Sequence, residues 1–293
     1  MKTNTNSERP PYLFSNGMPI PFTPQYFEQA EAGDASDVAD MTRRLNNDGY
    51  LYLPGFLDPA DVLDVREEYF KLFDPIILKK GTSPRQGLFS GSFQFSPYRH
   101  GLAGHPASLF VTSDAFEQFT RSKKLLDLAT SLMNEEVTLL QRRPIRHFYN
   151  NTGVASCAHA DFTYLNKGTK KIVSIWIPLG DVPLEGGGIV YLKDSNDVDQ
   201  DELRHQLNRF KKPEKDERPI TADLKAIADT TGKPWLYADF KAGDIVLHTP
   251  FIVHATLDCN DERMRLSTDI RFASCNETHD PRWGGNWRGD DGY

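Results

Sequence analysis

His159-Ala160-Asp161 is followed 93 residues after Asp161 by His254, and 11 residues after that by Arg265. Two imidazoles and one carboxylate are a ligand set that grips a non-haem Fe(II) ion on one face and leaves three positions open. In extended chain, residues i and i+2 point to the same side, so His159 and Asp161 can reach one ion together. The third ligand must then return on a distant strand. A cationic fork such as Arg265 suits the far carboxylate of a metal-bound keto acid. One His-x-Asp pair alone is weak evidence in a chain with eight histidines. His248, four residues after Asp244, competes for the distal position, although its place in an apolar run reads as a core or supporting histidine. Arg263 and Arg271 compete with Arg265, and a solvated surface arginine is the default for each.

Such residues need a scaffold that brings distant segments together, and the chain offers one. Val137-Thr138-Leu139-Leu140-Gln141 is apolar and β-branched, and Lys171 to Leu179 is a long strand signal. Gly186-Gly187-Gly188 reads as a turn before the strand Ile189-Val190-Tyr191-Leu192. Asp244 to His248 and Leu266 to Phe272 complete a set of short strands typical of a sandwich or barrel. Ahead of them, Val38, Met41 and Leu45 predict a helix over 34–47, and Gly49 to Gly55 a short strand. Asp58 as N-cap with Pro59 behind it predicts a second helix, and a third is expected over 113–133. The stretch 79–104, with Phe89, Phe93 and Phe95, reads as a long loop. Residues 193–240 interrupt the β pattern with two helices, one marked by Leu203, Leu207 and Phe210. The other carries Leu224, Ile227 and Ala228, with Thr221 as possible cap and Gly232 as stop. The expected organisation is a surface arm over 1–33 and one domain over 34–293. Its β core spans about 136–275 and holds a helical insertion over about 193–240.

The bulk composition narrows the partners. With 34 basic and 41 acidic residues the net charge is −7, which argues against nucleic acid. The three cysteines, Cys157, Cys259 and Cys275, have no paired spacing and suggest free thiols in a reducing compartment. The polar start lacks the apolar stretch of a secretion signal, and no run of about 18 apolar residues occurs. The expectation is a cytoplasmic protein with a small-molecule substrate and no membrane partner. A homodimer is left open.

These residues resemble the phytanoyl-CoA dioxygenase family of Fe(II)- and 2-oxoglutarate-dependent oxygenases. The resemblance runs over roughly 45–285. It rests on the Gly49-Tyr50 to Gly55-Phe56 segment, His159-x-Asp161, Trp176 leading to Gly180-Asp181, and Gly186-Gly187-Gly188. It continues through Gly243-Asp244 to His248, His254-Ala255-Thr256 and Arg265. It implies a mainly β protein with bracing helices, built on a double-stranded β-helix (jelly roll, cupin-like) with iron at the open mouth. It implies Fe(II), 2-oxoglutarate and O2 as cofactor and cosubstrates, with His159, Asp161 and His254 on iron. Arg265 would pair with the far carboxylate of 2-oxoglutarate, with Thr256 and Trp176 beside it. The family pattern thus prefers His254 over His248, and the spacing from His254 prefers Arg265 over its rivals.

The implied reaction is oxidation of an unactivated C–H bond of a small metabolite, by hydroxylation, desaturation or cyclisation, with release of succinate and CO2. The carboxylate Asp161 speaks against halogenation, because related halogenases lack it. Phe162 and Tyr164, just after the ligand pair, are candidate pocket walls. Gln141, Arg143 and Arg146, on the preceding strand, could meet a polar or anionic substrate. One departure is visible. Where family members often carry Gly-Ser-His, this chain has Leu192-Lys193-Asp194-Ser195-Asn196, which argues against an acyl-CoA substrate and towards secondary metabolism. The residues alone leave two other readings open, a non-catalytic metal- or ligand-binding jelly roll and a zinc-dependent cupin-type enzyme.

Overall fold

The computed structural model describes residues 9–92, 105–150, 152–207 and 218–288. The expectations for Phe93, Phe95 and Phe210 lie outside the described residues. In chain order the strands are β1 (Tyr12–Ser15), β2 (Met18–Pro21), β3 (Phe27–Gln29), β4 (Tyr50–Leu53), β5 (Val137–Leu139), β6 (Ile145–Phe148), β7 (Ile172–Pro178), β8 (Ile189–Leu192), β9 (Trp235–Tyr237), β10 (Ile245–His248), β11 (His254–Thr256) and β12 (Arg265–Ser274). The helices are α1 (Val38–Asp48), α2 (Pro59–Phe70), α3 (Pro106–Phe110), α4 (Asp114–Thr120), α5 (Lys123–Met133), α6 (Gln200–Gln206) and α7 (Leu224–Thr231).

Two sheets form the double-stranded β-helix. The larger runs β4-β10-β7-β12-β5, with β6 also paired to β12, and the smaller runs β11-β8-β9-β3. β7 sits centrally and is buried along its whole length, which is why its sequence is continuously apolar apart from Ser174. Helices α1, α2 and α5 pack their apolar stripes behind the larger sheet. Met41, Val62, Tyr69, Leu125 and Leu128 share one core with Ile175, Leu247, Ile270 and Phe272.

Several local expectations meet a different outcome. The helix expected over 113–133 is two, because Ser113 caps α4 and the chain restarts at Ser122 before α5. α7 is capped by the Asp223 side chain, and Thr221 instead accepts the Asp223 N–H at 3.1 Å. Residues 12–29, read as part of a surface arm, form the β1-β2 hairpin and add β3 in parallel to β9. Leu13, Ile20, Tyr26 and Phe27 are buried in the core of the smaller sheet. These strands are too short to announce themselves by period.

Arg66 ties the helical layer to the barrel. It is fully buried on α2. Its Nη1 donates to Leu179 O at 2.8 Å and its Nη2 to Met264 O at 2.7 Å, with further contacts to the carbonyls of Gln86 and Gly87 at 3.3 Å. A Cβ at Gly87 would stand 2.2 Å from Arg66 Nη2, so glycine is required there. Burial pulls the Arg66 guanidinium down to about 9, which leaves it charged at neutral pH.

Candidate metal centre

His159 and His254 face each other across the edge of the smaller sheet. β11 pairs with β8 on one side and, through His254, with His159 on the other. Each histidine directs Nδ1 at a backbone carbonyl two residues back, Cys157 O at 2.7 Å for His159 and Ile252 O at 3.1 Å for His254. A carbonyl only accepts, so each Nδ1 carries a proton, which makes Nε2 the nitrogen available to a metal. Burial, and then the closeness of His159 and His248, hold the His254 imidazole well below the usual histidine range, neutral as a ligand must be. Asp161 follows on a short 3-10 turn. One ligand atom from each of His159, Asp161 and His254 lies within 4.8 Å of the others. The Nε2 of His254 stands 3.8 Å from Asp161 Oδ1.

The two oxygens of Asp161 have different surroundings. Oδ2 accepts from Ser174 Oγ at 2.6 Å and from Arg271 at 3.0 and 2.8 Å, and it faces His248 Nε2 at 3.4 Å. Oδ1 has one Arg271 contact, at 2.9 Å, and the His254 approach. The three donors come from one row across the larger sheet, because Ser174 is in register with His248 on β10 and with Arg271 on β12. His248 in turn has the Tyr191 hydroxyl 3.0 Å from its Nδ1. Burial alone would raise the Asp161 carboxyl, but the charge of Arg271 and the neighbouring His248 and His254 override it and hold the group well below the usual carboxylate range. Asp161 is therefore held through Oδ2, with Oδ1 turned towards His254.

These groups open onto a cavity of about 380 Å³ whose wall includes Arg146, Phe148, Tyr164, Trp176, Thr256, Arg265, Asp269 and Trp283. Arg265 opens β12. Its Nη2 donates to Ser267 Oγ at 3.0 Å, while Nε and Nη1 are buried without a hydrogen-bond partner among the described residues. A buried guanidinium with idle donors is costly unless a ligand meets it. Burial draws it down to about 10, still charged at neutral pH. The guanidinium lies 4.8 Å from the Phe148 ring and 5.7 Å from that of Trp176. Thr256 Oγ1 accepts the Ser156 N–H at 2.8 Å, which leaves its own proton for another acceptor.

The structure thus brings His159, Asp161, His254, Arg265, Thr256, Trp176, Arg146 and Tyr164 to one cavity. It does not bring Gln141 or Phe162 there. β5 ends at Leu139, and Gln141 turns outward to donate to Asn286 Oδ1 at 2.6 Å. Phe162 leaves the strand alternation in the 3-10 turn, and its ring packs on Phe251 at 5.4 Å. Arg143 is likewise structural, donating to Thr120 Oγ1 at 2.5 Å and pairing with Glu117. Arg263 lies 3.3 Å from Asp181, away from the cavity. Sequence reasoning missed the Asp161 clamp of Arg271 and Ser174, and also Ser267 and Asp269. The available signal was parity, because Arg265, Ser267, Asp269 and Arg271 alternate onto one face of a strand.

The remodelled turn after β8 has a definite task. Ser195 Oγ donates to Leu192 O at 2.7 Å and accepts the Val253 N–H at 3.0 Å, which fixes the chain one residue before His254.

Comparison with known proteins places this architecture. The phytanoyl-CoA dioxygenase (PhyH) family profile matches residues 45–265. The chain belongs to that family, and it is a 2-oxoglutarate-dependent oxygenase using Fe(II), 2-oxoglutarate and O2. Among solved structures it is similar to the non-heme α-ketoglutarate-dependent epimerase SnoN from nogalamycin biosynthesis. That match has a TM-score of 0.57 and 17% identity, over 85% of this chain and 87% of that one. The carbocyclase SnoK of the same biosynthesis matches with TM-score 0.56 and 17% identity, over 86% and 90%. EctD from S. alaskensis, solved with 2-oxoglutarate and 5-hydroxyectoine, matches with TM-score 0.54 and 14% identity, over 95% and 89%. At these identities the likeness is one of fold. The sequence matches none of the curated proteins. Among the described residues no helix is long and apolar enough to cross a membrane.

Proposed function

We propose that His159 Nε2, Asp161 Oδ1 and His254 Nε2 hold Fe(II), and that Arg265 receives the far carboxylate of 2-oxoglutarate with Thr256 and Trp176 beside it. We infer further that the protein oxidises an unactivated C–H bond of a small organic metabolite, by hydroxylation, desaturation or cyclisation. The donor set fits the ion, with two imidazoles and one carboxylate whose ligand atoms lie within 4.8 Å of one another. The single observation carrying the reading is that Arg265 keeps two buried nitrogens, unpartnered among the described residues, on the wall of the same cavity as this trio. A zinc site of the same donors would give that arginine no task. Bound iron and 2-oxoglutarate supply, with O2, the oxidising power, and succinate and CO2 are released.

The chain's own contribution is placement. Arg271, Ser174 and His248 fix the carboxylate ligand, and the paired backbones of His159 and His254 fix the imidazoles. Tyr164, Trp176 and Trp283 wall the chamber and limit water. A chamber of this volume suits a compact metabolite.

The test is an anaerobic titration of the metal-free protein with Fe(II) and 2-oxoglutarate, followed by the visible charge-transfer band. The band should form in the native protein and vanish in His254→Ala, and a substrate screen by succinate release would follow. A folded native protein that gives no band rules out the assignment.

A further inference from the structure

Along the inward face of β12, Arg265 is reserved for the cosubstrate and Arg271 is engaged with Asp161. Asp269 lies between them and lines the same cavity. It is the one residue of the ten on β12 that is not fully buried. Its backbone is fixed, with the N–H donating to Pro144 O at 3.2 Å and Trp176 opposite in register on β7. Among the described residues its carboxylate has no hydrogen bond and no ion pair. No other charged side chain of the cavity wall is in that position.

An unused carboxylate on a loop would be a solvated surface group. On a central strand, half-buried and opposite Trp176, it opens onto the cavity, and no donor among the described residues meets it. A carboxylate only accepts hydrogen bonds, so whatever satisfies it must donate. A second carboxylate at that place would meet like charge at close range.

We propose that Asp269 is a specificity-determining residue, accepting hydrogen bonds from a hydroxyl or ammonium group of the substrate and rejecting substrates that present a carboxylate there. This rests on reading the cavity as the substrate chamber.

The test compares three probes that carry different groups on one cyclohexyl ring: cyclohexanol, cyclohexylamine and cyclohexanecarboxylate. Their dissociation constants are measured by ligand-observed NMR under anaerobic Fe(II) and 2-oxoglutarate, so that the cosubstrate carboxylate already occupies Arg265. The alcohol or the amine should bind about tenfold or more tightly than the carboxylate, as expected for a hydrogen bond to a charged group. Whichever of the two binds better identifies the donor. Asp269→Asn should bring the three constants to within about threefold of one another, chiefly by admitting the carboxylate. Asp269→Ala serves as a second variant. A native protein that does not prefer a donor probe, or a preference that survives both variants, overturns the proposal. If the probe ranking holds but the charge-transfer band never forms, the oxygenase reading fails and the role of Asp269 stands. A normal band without the ranking removes Asp269 alone.

Discussion

His159 and His254 exchange both backbone hydrogen bonds, His159 N–H to His254 O at 3.0 Å and His254 N–H to His159 O at 2.8 Å. Their rings stand 4.3 Å apart between centroids. The two imidazoles are thus a cross-strand pair, and their separation is set by strand spacing rather than by side-chain choice. Asp161, two residues on, reaches the same point because the chain stays extended as far as Ala160 and only then turns.

Arg265→Ala should raise the 2-oxoglutarate concentration needed for half-maximal turnover by roughly 100-fold. Truncating one partner of a buried charge pair costs about 2–5 kcal/mol. Succinate release against 2-oxoglutarate concentration measures it. An unchanged requirement would place the anchor elsewhere.

Arg271→Ala should act on the metal instead. Without the guanidinium, Asp161 keeps only Ser174 and His248 on Oδ2, and the affinity for Fe(II) should fall about 10- to 100-fold. Direct Fe(II) titration separates this from Arg265→Ala, which leaves all three ligand residues and the donors around them in place. Equal Fe(II) affinity in native protein and variant would deny the clamp its role.

Gly187→Ala tests the glycine turn before β8. Gly187 has φ +82°, and a Cβ there would lie 3.0 Å from both Cys259 N and Leu257 O. The left-handed conformation and the contact together should cost about 1–3 kcal/mol. Thermal unfolding should show a midpoint lower by several degrees, and an unchanged midpoint would refute the requirement.

His105 gives a pH dependence of stability. Its Nδ1 accepts the Ala107 N–H at 3.0 Å at the start of α3, and burial lowers it to about 4. The unfolded chain, titrating near 6.5, takes up the proton first. The stabilising contribution is therefore complete above about pH 6.5 and declines as pH falls towards 4. His105→Asn keeps an acceptor but does not titrate, so its denaturation midpoints should fall less steeply across that window. Parallel slopes for the two proteins would contradict this.

What could be read from the sequence follows from how local each signal is. β7 was legible because burial on both faces demands an unbroken apolar run. α2 was legible because Asp58 and Pro59 are a capping pair whose chemistry is local. The convergence of His159, Asp161 and His254 was legible from spacing together with the family pattern. Arg271 was not, because an arginine has the same letter whether it is solvated or holds a buried carboxylate. Only its register with Ser174 tells the difference, and register is a property of the assembled sheet. β3 was hidden for a related reason. Three residues carry no period, and only pairing with β9 makes them a strand. Gln141 and Phe162 were expected at the cavity from their nearness in sequence to the site, and the backbone turns before each of them carries the side chain elsewhere.

Arg66 bears on how this catalyst could be transplanted. Its guanidinium holds Met264 O, the carbonyl directly ahead of Arg265, from a helix that lies outside the β-helix altogether. The portable unit is accordingly larger than the barrel, because a graft of the strands alone would leave the entry to β12 without its anchor. Variation selected on α2 for reasons of packing would then register as altered cosubstrate affinity, with no residue of the cavity changed.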